Sequence, residues 1–173
     1  PTYIYTLTPH DALPILGFGP PAAVGAKLAA PNRTVVSLVG DGGFGQNPAA
    51  LATAVEHNLP IVWVVMNNNA FGTIAGLQQA HFGLTLGTVF PSEGKGWNEI
   101  RPNYADIARA YGCEGVRIAS AAEFAPALRR ALESGRPWVI DVPMKNNPTP
   151  TTGHWNILDI YSPGEQRSHL ATD

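Results

Sequence analysis

The 173-residue sequence has few charged side chains and a single cysteine. Charged residues make up 14% of it, against roughly 25% in an average soluble domain. Its 11 basic and 13 acidic residues leave a net charge of −2 without a basic cluster, which argues against nucleic acid or an anionic membrane surface as a partner. No apolar run approaches the roughly 20 residues that a membrane-spanning helix needs. The lone Cys113 excludes an intrachain disulfide, and we therefore expect a reducing, cytoplasmic setting.

The sequence does have enough apolar residues for one folded core. Hydrophobic residues make up 45% of it, which is typical of a globular domain. Residues 1–15 show no helical or strand period and no signal-peptide pattern. We predict that residues 1–15 are a non-native or truncated segment, that residues 16–145 form the folded domain, and that residues 146–173 are a C-terminal tail.

Short apolar runs alternate with helical segments along the folded domain. The predicted strands are 35–39, 61–66, 116–118 and 138–142, and the predicted helices are 20–30, 47–57, 72–80, 104–111 and 120–135. Strands that alternate with helices in this way predict an α/β fold, with a doubly wound parallel sheet and helices on both faces.

Local signals set the expected ends of several helices. Asn47, followed by Pro48, is expected to cap the second helix, and Asn103 the fourth. Ser120 and Glu123 have the spacing of a capping box. Residues 83–102 are rich in glycine and show no period, which in a compact domain is typical of a functional or disordered segment.

Two polar motifs follow two neighbouring predicted strands. The first is residues 40–43, Gly-Asp-Gly-Gly, and the second is residues 67–72, Asn-Asn-Asn-Ala-Phe-Gly. If the strands are adjacent and parallel, Asp41 and Asn68 converge at one edge of the sheet, where their oxygens suit Mg²⁺ holding a phosphate. Gly42 and Gly43 allow close approach of a diphosphate, and a helix that begins near Gly72 would offer N–H groups to it.

These motifs and their spacing resemble the signature of the thiamin-diphosphate-dependent enzymes. The resemblance covers about residues 16–145, the cofactor-binding domain of such proteins, and is nearest to acetolactate synthase, benzoylformate decarboxylase and benzaldehyde lyase-like members. It implies thiamin diphosphate and Mg²⁺ as cofactors. The implied metal ligands are Asp41, Asn68 and the carbonyl of Ala70, and the implied cofactor contacts are Gly42, Gly43, Asn68, Phe71 and Gly72. Leu16 falls where the family places a bulky residue that bends the cofactor.

The resemblance also implies an activity that a longer chain would carry out. The expected function is that of a 2-oxo acid decarboxylase or carboligase, acting as a homodimer or homotetramer, with the tail folded over the cofactor. In the family a glutamate from a separate, preceding domain activates the cofactor, so no catalytic acid or base is assigned here and the chain alone is expected to be inactive. Glu56 and Glu93 are the first residues to mutate if it proves active.

Other features have a second interpretation. Gly17, Gly19 and Ala22 match a dinucleotide fingerprint, so the alternative function is the dinucleotide-binding domain of an oxidoreductase, although Pro20 and Pro21 remove N–H groups that a pyrophosphate needs. His81 is a candidate to face a substrate, and His154 is a candidate for either a structural or a functional role. Cys113 is expected to be a packed core residue.

Overall fold

The computed structural model describes residues 16–90 and 102–144. Within them lie four strands, β1 (Val35–Gly40), β2 (Ile61–Asn67), β3 (Glu114–Arg117) and β4 (Trp138–Pro143). The helices are α1 (Gly19–Ala29), α2 (Asp41–Gln46), α3 (Ala50–Glu56), α4 (Gly72–Phe82), α5 (Tyr104–Ala110) and α6 (Phe124–Glu133), with a 3-10 turn over Ala121–Glu123.

The described strands form one parallel sheet in the order β1-β2-β4-β3. Strand β2 is central, and every residue from Ile61 to Val65 is buried, as a run of apolar residues without alternation predicts for a strand covered on both faces. The predicted α/β fold with a parallel sheet is confirmed.

Side chains alternate between two cores, one on each face of the sheet. Trp63 and Val65 of β2 pack with residues of α1, α2, α3 and α5. Val62 and Val64 point to the other face, where they pack with Ala127 and other residues of α6. Because β2 contributes to both cores, the sheet has helices on both faces, as predicted.

The predicted start of the second helix is wrong. The chain enters α2 at Asp41, directly after β1, and Asn47 is the C-cap of that helix. The next helix, α3, begins only at Ala50. A glycine-rich sequence has low helix propensity, but Phe44 is fully buried in the first core, and this packing favours a helical turn there.

The other predicted caps have mixed outcomes. Asn103 caps α5 as predicted, since its Oδ1 accepts hydrogen bonds from Ala105 N at 3.1 Å and Asp106 N at 3.3 Å. The capping box is wrong: the Glu123 carboxylate accepts from the Ser120 hydroxyl at 3.2 Å, and from a preceding backbone N–H. Ser120 precedes the 3-10 turn and Glu123 ends it, directly before α6, and neither side chain caps the turn or the helix that follows it.

Strand β3 begins two residues earlier than predicted, at Glu114, because it pairs with β4 from Trp138 onward. Residues 1–15 and the tail 146–173 lie outside the described residues, and so do Glu93 and His154. In the part of the chain that is described, no helix is long and apolar enough to cross a membrane.

Candidate metal centre

The candidate ligands come together because β1 and β2 are paired in parallel along their length. Asp41 and Asn68 follow these strands at the same edge of the sheet. The Asp41 carboxylate is held by two backbone N–H groups: Gly42 N donates to Oδ1 at 2.9 Å, and Ala70 N donates to Oδ2 at 3.2 Å. The structure therefore brings Asp41, Asn68 and Ala70 to one place.

Three oxygens meet there, and we call them the oxygen cluster: Asp41 Oδ1, Asn68 Oδ1 and the Ala70 carbonyl oxygen. The tip of the Asn68 amide that faces them lies 3.1 Å from Asp41 Oδ1 and 3.0 Å from the Ala70 oxygen. Octahedral Mg²⁺ with oxygens at 2.0–2.1 Å sets adjacent ligands about 2.9–3.0 Å apart, so this spacing fits the cation. Without a cation the opposite amide orientation is favoured, in which the Asn68 nitrogen donates to both oxygens.

Burial makes the Asp41 charge costly. The residue is 1% exposed, and burial raises the pKa of its carboxyl, although the nearby backbone N–H groups of Gly42, Ala70 and Asn69 oppose the shift. A carboxyl whose pKa is higher in the folded than in the unfolded state stabilises the fold at pH values below the unfolded pKa. That contribution to stability is lost as the pH rises through the folded pKa. The ionised carboxylate thus costs folding free energy at neutral pH, and a divalent cation at the oxygen cluster would offset that cost.

Residues 16–90 and 102–144 contain no group of three His, Cys, Asp or Glu that could hold a metal ion. The described salt bridges do not involve Asp41 either. A cation at this edge would therefore depend on one carboxylate together with amide and carbonyl oxygens, which are ligands that Mg²⁺ accepts when phosphate and water complete the shell.

Two glycines leave the space that this arrangement needs. A Cβ on Gly42 would lie 2.8 Å from Phe71 Cε1, so the ring can pack on the backbone only because the side chain is absent. A Cβ on Gly72 would lie 2.7 Å from Asn68 Nδ2. Gly42 and Gly72 thus leave room for the Phe71 ring and the Asn68 amide.

The residues Asn68–Ala70, here called the ligand turn, are anchored to the segment that follows α4. Asn69 has a φ of +53°, in the left-handed region that asparagine tolerates. Phe90 N donates to the Asn69 carbonyl at 2.8 Å, and Phe71 N donates to the Thr88 carbonyl at 2.8 Å. The Phe71 N–H is therefore engaged, and the first turn of α4, from Gly72 onward, presents the N–H groups that lack partners within the helix.

A buried polar network under the ligand turn was missed by the sequence analysis. The Asp141 carboxylate, fully buried, accepts from Asn67 Nδ2 at 3.0 Å, Tyr104 N at 3.1 Å and Arg117 at 3.0 Å. The Tyr104 hydroxyl donates to the Asp41 carbonyl at 3.3 Å, and burial raises its pKa, as do the charges of Asp41 and Asp141. The sequence signal that could have indicated this network is Asp141, a single carboxylate within the apolar run of β4.

Other residues singled out from the sequence lie around or away from the site. Leu16, 47% exposed, is beside Gly43: its Cδ1 would be 3.9 Å from a Cβ there. His81 is exposed in the last turn of α4. Glu56 ends α3 shortly before β2 begins, which puts it at the opposite edge of the sheet. It is therefore a wrong candidate for the activating carboxylate, because a crossover helix returns the chain to the edge where the strands start.

Cys113 is a packed core residue, as predicted. It is 4% exposed within the first core. Burial raises the pKa of its thiol to about 11, with the Glu114 charge adding to the shift and Arg136 opposing it. A thiol with such a pKa is a poor nucleophile at neutral pH.

The chain is similar in sequence and structure to several known proteins. It is 39% identical over 129 residues to the acetolactate synthase large subunit IlvG of Mycobacterium tuberculosis, covering 73% of this chain and 22% of that protein. It is 34% identical over 128 residues to benzoylformate decarboxylase of Pseudomonas aeruginosa, covering 74% of this chain and 23% of the relative. The solved thiamine diphosphate-dependent 4-hydroxybenzoylformate decarboxylase of Rhodococcus jostii RHA1 matches with a TM-score of 0.68 and 33% identity, over 78% of this chain and 24% of that one.

The chain thus spans between a fifth and a quarter of the length of these relatives. None of them supports the dinucleotide-binding alternative. The family model described as "Thiamine pyrophosphate enzyme, C-terminal TPP binding domain" matches residues 2–142. The chain belongs to the thiamine pyrophosphate enzyme family and corresponds to its C-terminal cofactor-binding domain.

Proposed function

We propose that the oxygen cluster binds Mg²⁺ and that this ion anchors the diphosphate of thiamin diphosphate at the carboxyl edge of β1 and β2. The observation that carries the proposal is the spacing at this point, where the tip of the Asn68 amide lies 3.1 Å from Asp41 Oδ1 and 3.0 Å from the Ala70 carbonyl oxygen. Asp41, Asn68 and the Ala70 carbonyl are the proposed metal ligands. The two orientations of the Asn68 amide then correspond to the metal-free and metal-bound forms.

The remaining site residues would act on the diphosphate or on the shape of its pocket. Gly42 and Gly43 allow the approach of a phosphate to the backbone at the start of α2, and Gly72 begins the helix whose first N–H groups favour an anion. The Phe71 ring packs on Gly42 and edge to face on Phe90, with centroids 5.2 Å apart.

The activity of the whole protein is proposed to be decarboxylation of a 2-oxo acid, with or without ligation of the product to a second carbonyl compound. Thiamin diphosphate supplies the electron sink for that chemistry, and the described residues of this chain bind and orient it. The relatives include an acetolactate synthase and a benzoylformate decarboxylase, which supports this class of reaction. A homodimer or homotetramer and a cytoplasmic location remain parts of the proposal.

The test exchanges one carboxylate for an amide. Asp41→Asn should weaken the binding of Mg²⁺ in the presence of thiamin diphosphate by about 10–100-fold or more, because a charged ligand is lost. Asp106→Asn is the matched control, since Asp106 is exposed on α5 and pairs with Arg109. Isothermal titration of both variants and of the natural chain gives the dissociation constants. Equal affinities in the two variants would contradict the metal site.

A further inference from the structure

We propose that Asn67 is a positioning residue for the ligand turn, and that Asp141 fixes the direction in which its amide points. The inference rests on the proposed metal site, because it concerns what holds Asn68 and Ala70 in place. The Asn67 side chain contacts none of the cluster oxygens, so its action on them is indirect.

The Asn67 side chain closes the turn that carries the ligands. Its Oδ1 accepts a hydrogen bond from Asn69 N at 3.3 Å, an arrangement in which an asparagine side chain supports the backbone two residues ahead. Asn69 takes the left-handed conformation at this point. The reversal of the chain brings the Ala70 carbonyl back beside the Asn68 side chain, so the bond from Asn67 helps set the distance between two of the cluster oxygens.

The direction of the Asn67 amide is fixed by partners that can only accept. Its Nδ2 donates to Asp141 Oδ1 at 3.0 Å and to the Pro102 carbonyl at 3.0 Å. An amide turned over would set its oxygen against these two oxygens, which is unfavourable in a buried site where Asn67 is 1% exposed and Asp141 fully buried. The Asn67 oxygen is therefore directed to the ligand turn.

Asp141 is itself held on its other oxygen. Its Oδ2 accepts from Tyr104 N at 3.1 Å and from Arg117 at 3.0 Å. Arg117 also donates to the Pro102 carbonyl at 3.2 Å, so one guanidinium contacts both acceptors of the Asn67 amide. A carboxylate that accepts hydrogen bonds on both oxygens has little freedom to turn. Its hydrogen bond to Asn67 Nδ2 therefore fixes the orientation of the Asn67 amide.

The main chain of Asn67 is anchored as well. Its carbonyl accepts a hydrogen bond from Met144 N at 2.7 Å, immediately after β4. One residue therefore joins the ligand turn to Pro102 before α5 and to the segment that leaves the sheet. The two neighbouring asparagines thus have different roles: Asn67 directs the turn, and Asn68 belongs to the oxygen cluster.

The experiment measures metal affinity in folded variants of the chain. Asn67→Ala removes the bond to Asn69, and Ile61→Val is the control, because Ile61 is fully buried at the other end of the same strand and its truncation has a modest cost in stability. The probe is Mn²⁺ added to the 173-residue chain with thiamin diphosphate, with free Mn²⁺ counted by electron paramagnetic resonance. We expect Asn67→Ala to weaken Mn²⁺ binding by about 10–100-fold and Ile61→Val to leave it unchanged.

The outcomes separate this inference from the metal site itself. If Asp41→Asn weakens Mn²⁺ binding while folded Asn67→Ala binds as tightly as Ile61→Val, the positioning role is overturned and the site stands. If Asp41→Asn also binds normally, the site is wrong and the inference falls with it. If Asn67→Ala does not fold, Asp141→Asn is the deciding variant. It keeps the shape of the network but no longer fixes the direction of the Asn67 amide, and we expect it to bind Mn²⁺ several-fold more weakly. Normal affinity in that variant would overturn the proposal.

Discussion

Gly72→Ala should separate the stability of the domain from its affinity for metal. Gly72 is the first residue of α4, and alanine there favours the helix by up to about 1 kcal/mol relative to glycine. The new Cβ, however, would lie 2.7 Å from Asn68 Nδ2, where ordinary contact begins near 3.4 Å. The amide must therefore move by about 0.7 Å, and Mg²⁺ tolerates little departure from octahedral geometry.

The magnitude follows from the loss of one well-placed ligand. We expect Mg²⁺ binding with thiamin diphosphate to weaken by about 10–100-fold, which is about 1.4–2.7 kcal/mol. For a chain of this size the thermal shift produced by Mg²⁺ and thiamin diphosphate should fall by roughly 3–11 °C. Without metal the free energy of unfolding should change by less than about 1 kcal/mol, because the gain in helix propensity offsets the displaced amide.

The control is a glycine with free space around it. Gly25 lies within α1, and a Cβ there meets nothing within 4 Å. Gly25→Ala should raise stability by up to about 1 kcal/mol and leave metal affinity unchanged. Differential scanning fluorimetry and titration calorimetry measure both quantities for both variants. If Gly72→Ala binds Mg²⁺ as tightly as Gly25→Ala does, then Asn68 is not a ligand in the position described.

Two further predictions concern the core thiol and the activity of the chain by itself. Burial raises the pKa of the Cys113 thiol from 9.0 to about 11. The free energy of unfolding should therefore fall by up to about 3 kcal/mol as the pH rises between those values, because the ionised thiolate is disfavoured in the core. Cys113→Ala should show a smaller fall in unfolding free energy over that range in urea titrations, and an equal fall would contradict the assignment. The 173-residue chain with Mg²⁺, thiamin diphosphate and pyruvate or benzoylformate should release no CO₂ above a cofactor-only blank, since the family resemblance assigns the activating glutamate to another domain. Turnover above the blank would show that a residue of this chain fills that role.

The sequence was sufficient where a pattern is local and repeated. The buried run of β2 and the Asn103 cap of α5 needed no knowledge of distant residues. The course of the chain after β1 could not be predicted in the same way, because α2 forms where Phe44 packs into a core made of residues far away in sequence.

The candidate metal ligands could be predicted from the sequence, but the residues that hold them in place could not. Asp41 and Asn68 belong to motifs at the ends of two consecutive strands, so their meeting follows from the parallel sheet. Asn67 and Asp141 meet because β2 and β4 are neighbours, and that neighbour relation depends on strand order. No local pattern distinguishes this order from one in which β3 lies beside β2.

The strand order has a consequence for the synthesis of the protein. β4 lies between β2 and β3 and is paired with both, although it is the last of the described strands to leave the ribosome. Until residue 143 has been added, β3 has no partner among those strands, and the second core lacks Trp138 and Ile140. The nascent chain therefore passes through an interval in which a half-built sheet exposes surface to aggregation or to a chaperone. A ribosome that pauses before residue 138 would lengthen that interval.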